Sequence, residues 1–471
     1  MKHGAVNSSP YPWPYRGNID LKRTALLVSL DLSWIPNGKR DYAALERMIE
    51  IIERFDDLAA LVFGFAPKGQ LWTVADNKTA MSREEQSWRD VAKTQRAIET
   101  IGSNAFYCTD LDQSLREAKV TDLVLIGLGL ESPLHSSMRS ANDMGYECLL
   151  VSDATIAWDD SLKLGAVSSI LFSGGIFGAV TETDELLMGL DKNPKHRTNP
   201  TLSASAWMIK EIINIGHSDW AEPKSNLLED DFESSEAALY VDADPYPWPY
   251  DGVLDPAKTA FISIDWQVDF CGRGGYVEQM GYDLSLTRTP LAPTAKVLSV
   301  VREWGCLVIH TREGHRPDLS DCPPNKLWRS KKIGAGIGDS GPCGRVLVRG
   351  EPGWEIVEEV APIDGEIIID KPGKGSFYAT DLDLILRTAG ITHLIITGIT
   401  TDVCVHTTLR DANDRGYECL LLSDCTAATD VGNHEAALKM VKMQGGVFGA
   451  VATSEALMST IARSTVSSQA K

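Results

Sequence analysis

The hexapeptide Pro-Tyr-Pro-Trp-Pro-Tyr occurs twice in this chain, at Pro10–Tyr15 and Pro245–Tyr250, and it is the first of several matching blocks. Each copy leads into a Thr-Ala plus apolar run that ends in Asp, Thr24–Asp31 in one half and Thr259–Asp265 in the other. Further on the match is ungapped. Phe106–Asp112 lies over Phe377–Asp383, Arg139–Asp153 over Arg410–Asp424, and Gly174–Val180 over Gly445–Val451. Blocks in the same order over such a span mean a duplicated domain, not a short solenoid repeat. The offset grows from 235 to 271, so the N-terminal copy is a net 36 residues shorter, with the loss falling opposite roughly Cys271–Asp370. The expected layout is 1–190, a linker over 191–244, and 245–471. The linker is rich in Pro, Ser and acidic residues, with one short helix over Ala204–Ile215.

At 471 residues, each copy is large enough to bury a core of its own. In the second copy apolar runs alternate with amphipathic ones. Strands are expected at Ala260–Ile264, Cys306–Thr311, Glu366–Ile369, Leu394–Thr397 and Glu418–Leu422. Helices are expected at Pro293–Trp304, after Thr380-Asp381, and at Cys404–Arg415 up to Gly416. Continuous apolar strands are buried on both faces, which predicts an α/β fold with a parallel sheet between two helical layers. Active sites in such sheets lie beyond the carboxyl ends of the strands.

The net charge of −20 argues against a nucleic-acid partner and against anionic membrane surfaces. No apolar run is long enough to span a bilayer, and Met1–Gly17 has no signal-peptide core, so a cytosolic protein is expected. Nine scattered cysteines without a CxxC pair suit reduced thiols.

Three residues fall at strand ends in the second copy: Asp265, Lys371 and Cys404. A thiol at a helix N-terminus is favoured as thiolate by the dipole, an ammonium nearby would add to that, and a carboxylate can carry the proton. Singly, each has a plainer explanation: a loop-capping Asp, a solvated Lys, a packed Cys. The first copy shifts the balance. It carries Thr100 at the position of Lys371 and Pro133 at that of Cys404, and a purely structural Cys would more readily drift to Ala, Ser or Val than to Pro. Asp31 is expected to persist from the Asp265 position, although Leu32-Ser33-Trp34 replaces the Trp-Gln-Val-Asp-Phe run that comes after Asp265.

The stretches Asp265-Trp-Gln-Val-Asp-Phe270, Lys371-Pro-Gly-Lys-Gly-Ser-Phe377 and Gly398-Ile-Thr-Thr-Asp-Val-Cys404 resemble the isochorismatase-like cysteine hydrolases. Similarity runs from about Tyr246 to about Met458 and more weakly over the first copy. The resemblance implies two tandem α/β/α domains with six-stranded parallel sheets and an Asp265–Lys371–Cys404 triad. It further implies an oxyanion hole from the backbone N–H groups of Thr400 and Cys404, with a cis peptide between Ile399 and Thr400. His310–Pro317, Gly334–Gly341, Gly350–Glu355 and Met443–Phe448 are most similar to biuret hydrolase within that superfamily. That likeness implies a ureide substrate held by Gln444, with Phe270 in the pocket wall, and hydrolysis of biuret to allophanate and ammonia. Triuret, ureidoacrylate and N-carbamoyl amides are the alternatives, and a non-catalytic scaffold or binding protein is the reading from another class.

No cofactor is expected. The nicotinamidase-type metal motif meets Glu313-Gly-His315 here, with Asp321 near the place of a further His, so His315 reads as structural and no metal is expected. The remaining cysteines read as structural thiols, and His406 stays open between substrate contact and packing. The first copy, with Ser173 at the Gln444 position, reads as a structural pseudo-domain or as a retained binding module. An intramolecular pseudo-dimer, and homo-oligomers of it, are the expected assemblies.

Overall fold

The computed structural model describes residues 4–34, 41–68, 96–190 and 238–469. The chain divides into two compact units, Met1–Lys224 and Ser225–Lys471. Most of the expected linker, including the helix expected at Ala204–Ile215, lies outside the described residues.

The first unit holds β1 (Thr24–Ser29), β2 (Leu61–Pro67), β3 (Arg96–Thr100), β4 (Asp122–Leu128), β5 (Glu147–Ile156) and β6 (Ala179–Thr181). The second holds β7 (Thr259–Ile264), β8 (Leu307–Glu313), a small hairpin of β9 (Ser340–Gly341) and β10 (Gly344–Arg345), then β11 (Ile367–Lys371), β12 (His393–Ile399), β13 (Glu418–Ala427) and β14 (Ala450–Ala452). The strands form two six-stranded sheets, ordered β3-β2-β1-β4-β5-β6 and β11-β8-β7-β12-β13-β14. Every pairing within them is parallel. The central strands β7 and β12 are buried along their whole length, which is why their sequences run apolar without alternation. In each sheet the strand order reverses between the first strand and the fourth. The gap opened there is where such folds leave room for a ligand.

Local chemistry sets the element ends. The helix Leu291–Trp304 stops at Gly305, whose φ of 85° is the left-handed conformation of a helix C-terminus. Asp430 starts Val431–Gly446 by accepting from the Asn433 amide at 2.8 Å. At Gly398 (φ 130°) an added Cβ would stand 2.3 Å from the Ile264 carbonyl oxygen, so glycine lets β12 lie close to β7 at the reversal point. Gly127 has the same relation to Ser29, at 2.2 Å.

The segment that leads into each hexapeptide clasps its sheet in the same way. Val6 bridges Trp13 and Ser9 bridges Val180; Val241 bridges Trp248 and Asp244 bridges Val451. Leu239 also donates to the Gly252 carbonyl at 3.0 Å. Leu239–Asp244 therefore belong to the second unit, which begins before the boundary expected at Pro245.

Strand register corrects one pairing drawn from sequence. Thr24 and Thr259 occupy equivalent positions, opposite Asp122 and His393. The Leu30 amide donates to Phe65 as the Asp265 amide does to Thr311. Leu30, not Asp31, stands at the Asp265 position, and Asp31 falls where Trp266 is.

Candidate active site

The carboxyl ends of four neighbouring strands converge on one buried cluster. Asp265 follows β7 with φ 53°, and Lys371 is the last residue of β11, where a position just beyond the strand was expected. Cys404 follows β12, but not in the first turn of an α-helix. It lies in a wide π-type turn, Thr401–Val405, and the α-helix begins only at His406. Glu313 ends β8 directly opposite Lys371 in the register.

Lys371 Nζ lies 2.7 Å from Asp265 Oδ2 and donates to the carbonyls of Gly373 (3.0 Å) and Lys374 (2.9 Å). Thr311 Oγ1 donates to Asp265 Oδ1 at 2.7 Å. The Cys404 thiol donates to Glu313 Oε2 at 3.3 Å and also faces Asp265 and Lys371. All four side chains are buried. The peptide between Ile399 and Thr400 is cis; Thr400 immediately precedes the turn that holds the thiol, and Cys404 lies within it.

Burial raises the Asp265 carboxyl, and the anionic Glu313 reinforces this against the pull of Lys371. Burial also pushes the Cys404 thiol well up, with Asp265 and Glu313 adding to it and Lys371 opposing. The helix-terminus stabilisation of a thiolate expected from sequence is thus outweighed, and the resting group is a thiol beside a carboxylate of high proton affinity. Burial would weaken the Lys371 ammonium, but Asp265, Cys404 and Glu313 hold it protonated. Glu313 goes the opposite way to Asp265: burial would raise it, yet Lys326, Lys371 and Lys374 together keep it well below the usual carboxylate range. Burial lifts Cys271, Cys306 and Cys425 to about 12 as well, so the company of Cys404 is what sets it apart.

Asp265, Glu313 and Cys404 offer three possible ligand atoms within 4.8 Å of one another. The donor set does not fit a metal well. Lys371 stands at 2.7 Å from one carboxylate and Lys326 at 2.6 Å from the other, so both are already matched by ammonium groups. His315 does not join them; its Nδ1 faces Asp321 Oδ1 at 3.3 Å.

Phe270 is buried on the short helix Val268–Cys271, edge-on to Tyr276 at 6.3 Å between centroids. Gln444 stands apart from this cluster. The helix Val431–Gly446 starts beside the turn that holds Cys404, where Asn433 Nδ2 donates to Asp402 Oδ2 at 3.2 Å. It runs back along the sheet, and Gln444 sits exposed at its far end, in a left-handed kink with φ 51°. About a dozen helical residues at ~1.5 Å each put roughly 18 Å between the two ends. Within its own unit, Gln444 is not part of the cluster. His406 is settled as packing: its Nδ1 accepts from Arg410 Nε at 3.0 Å and its ring meets Phe448 edge-on, as His135 meets Phe177.

Sequence reasoning weighed Glu313 only as half of a metal motif and passed over Thr311 and Lys326. The available signal was positional, since Glu313 lies just past the strand expected at Cys306–Thr311, as Lys371 lies just past the one expected at Glu366–Ile369.

The first unit carries the same scaffold without the cluster. Leu30, Pro67, Thr100 and Pro133 stand at the positions of Asp265, Glu313, Lys371 and Cys404. Asp31 instead accepts from Ser33, from its amide at 3.1 Å and its hydroxyl at 2.6 Å.

A family model described as isochorismatase domain matches residues 68–185 and 259–456. The ureidoacrylate amidohydrolase RutB of Serratia proteamaculans is 32% identical over 188 residues, covering 36% of this chain and 70% of the relative. The protein of the same name from Methylobacterium radiotolerans is 32% identical over 214 residues, covering 45% of this chain and 83% of the relative. Among solved structures, a cysteine hydrolase from Pseudomonas syringae pv. phaseolicola shares 28% identity over 45% of this chain and 95% of that one, with a TM-score of 0.39.

Proposed function

Because this chain belongs to the isochorismatase family, we propose that its second unit hydrolyses a linear amide of a ureide through a Cys404 thioester, with biuret as the leading substrate. The observation that carries this reading is the buried contact of Lys371 with Asp265 at 2.7 Å beside the Cys404 thiol.

Each step rests on the proton affinities. Asp265, raised by burial, accepts the thiol proton as the sulfur attacks the amide carbon, and Lys371 holds Asp265 in place and offsets the negative charge. The N–H groups of Thr400 and Cys404 receive the carbonyl oxygen as it becomes an oxyanion. Asp265 returns the proton to the departing nitrogen, ammonia leaves, and water hydrolyses the thioester. From biuret the products are allophanate and ammonia.

The preference for biuret rests on the stretches around the triad, His310–Pro317, Gly334–Gly341 and Gly350–Glu355, since Gln444 lies outside the cluster. Ureidoacrylate is the second reading, favoured by the names of the two relatives at 32% identity. The first unit takes no part in the chemistry on this reading, so one substitution silences the whole chain. Ammonia release would be measured from biuret, triuret, ureidoacrylate and an N-carbamoyl amino acid. Wild type turns over at least one, and Cys404→Ala falls by about 10⁴-fold or more. Equal inactivity of both proteins on all four would overturn the proposal.

A further inference from the structure

Glu313 is the one member of the buried cluster with no part in the three-residue mechanism. It is fixed unusually firmly. Gln267 clamps its backbone from both sides, accepting from the Glu313 amide at 2.6 Å and donating to the Glu313 carbonyl at 2.9 Å. Lys326 Nζ, itself bonded to the Pro372 carbonyl, holds Oε1 at 2.6 Å. Oε2 is left facing the thiol at 3.3 Å, with Lys371 Nζ at 3.8 Å. A carboxylate needed only to anchor Lys326 would not have to meet the nucleophile. The first unit adds an independent observation: Pro67 stands at the Glu313 position, in the same copy that has Leu30, Thr100 and Pro133 at the triad positions.

We propose that Glu313 is a fourth catalytic residue, a fixed anion that strengthens Asp265 as proton acceptor and takes N–H bonds from the amino group that leaves as ammonia. This deepens the amide-hydrolase reading and rests on it. Two carboxylates border one thiol, and only one is fit to take its proton. Glu313 is stabilised as an anion by Lys326, Lys371 and Lys374, whereas Asp265 is raised. The S–H proton therefore goes to Asp265. The S–C bond forms, the carbonyl electron pair moves to oxygen, and the nitrogen is held one carbon away from the sulfur that Glu313 Oε2 already touches. When the C–N bond breaks, its electron pair stays on nitrogen, and the proton on Asp265 passes to that nitrogen. Positive charge accumulates on the nitrogen at this stage, and a neighbouring anion stabilises it. An ester or anilide with an activated leaving group departs as an anion and gains nothing from Glu313. The site is thereby directed to substrates whose leaving group is ammonia.

Glu313→Gln tests this because its effects run in opposite directions. The groups facing Asp265 and Cys404 are Lys371, Thr311, Glu313 and each other, with Lys326 and Lys374 behind Glu313. Removing the Glu313 charge lowers the proton affinity of both Asp265 and Cys404. The acid limb of kcat/KM on the ureide, which marks protonation of Asp265, should move to lower pH. Alkylation of Cys404 by iodoacetamide, followed by mass spectrometry of its peptide, should also show a lower midpoint. Ureide turnover at neutral pH should meanwhile fall by about 10- to 100-fold, with a smaller loss on a p-nitrophenyl ester. A merely structural Glu313 would slow alkylation and both substrates alike, and that pattern overturns the proposal, as does wild-type ureide turnover in the variant. Glu313→Asp, which keeps the charge, should retain the wild-type alkylation midpoint. Alkylation needs no substrate, so inactivity of wild type on every ureide would count against the amide-hydrolase reading and leave the charge test in force.

Discussion

The two units share a scaffold down to single hydrogen bonds and differ where strands end. Tyr146 donates to Asp112 and Tyr417 to Asp383, both at 2.8 Å. Arg139 lies over Phe177 at 4.2 Å, and Arg410 over Phe448 at 4.3 Å. Ser137 accepts from the Ala105 amide and donates to the Pro133 carbonyl; Thr408 does the same with Ser376 and Cys404. Yet Asp265, Glu313, Lys371 and Cys404 face Leu30, Pro67, Thr100 and Pro133. Interactions that hold the fold are present twice, and the Asp265–Glu313–Lys371 cluster beside a thiol is present once. Buried charges are expensive unless paired, so a unit without this cluster is relieved of that cost.

This comparison can be broken most directly at Lys371. Lys371→Thr installs the residue of the first unit and leaves Asp265 and Glu313 buried with less compensation. It should abolish turnover and lower stability by about 3–5 kcal/mol in denaturant unfolding of the whole chain. Unchanged stability would mean that the ion cluster is not a buried, coupled one. Leu30→Asp makes the converse change. It puts a carboxylate beside Phe65, where Asp265 has Thr311, and opposite Thr100 rather than an ammonium. A loss of roughly 2–5 kcal/mol is expected, and no activity should appear in a Cys404→Ala background. Tolerance of this carboxylate would show that the first unit still solvates a charge there. The smallest effect sharpens the likeness instead: Ser137→Ala should cost about 1 kcal/mol and Thr408→Val about 1–2 kcal/mol, since Thr408 also bonds the Ser376 hydroxyl at 2.9 Å. A gap of several kcal/mol between them would show that the hydroxyls bear different loads in the two units.

Much of this was legible in the sequence. Continuous apolar strands give a parallel sheet, and the positions of Asp265 and Lys371 come from strand ends. Two kinds of information were not. Asp31 looked like the partner of Asp265 because both close an apolar run, but strand register is set by hydrogen bonds between chains far apart in sequence, and a slip of one residue exchanges the faces. Gln444 was read from its motif, and the length of its helix, which separates it from the Cys404 turn within the unit, is not visible there. Glu313 was hidden by the length differences around it: Pro67 and Glu313 are 246 apart, between the offsets of 235 and 271 that the ungapped blocks reveal. The thiol's proton affinity was misjudged for a related reason, since burial is a property of the assembled strands and not of the helix after Cys404.

Fusion of the two copies also fixes a stoichiometry. Two separate polypeptides, one with the buried cluster and one without it, would meet in proportions set by their relative synthesis. Joined in one chain, they are made at one to one in every molecule, and on the proposed reading an active-site titration of the pure protein counts a single reactive centre for each pair of folded domains.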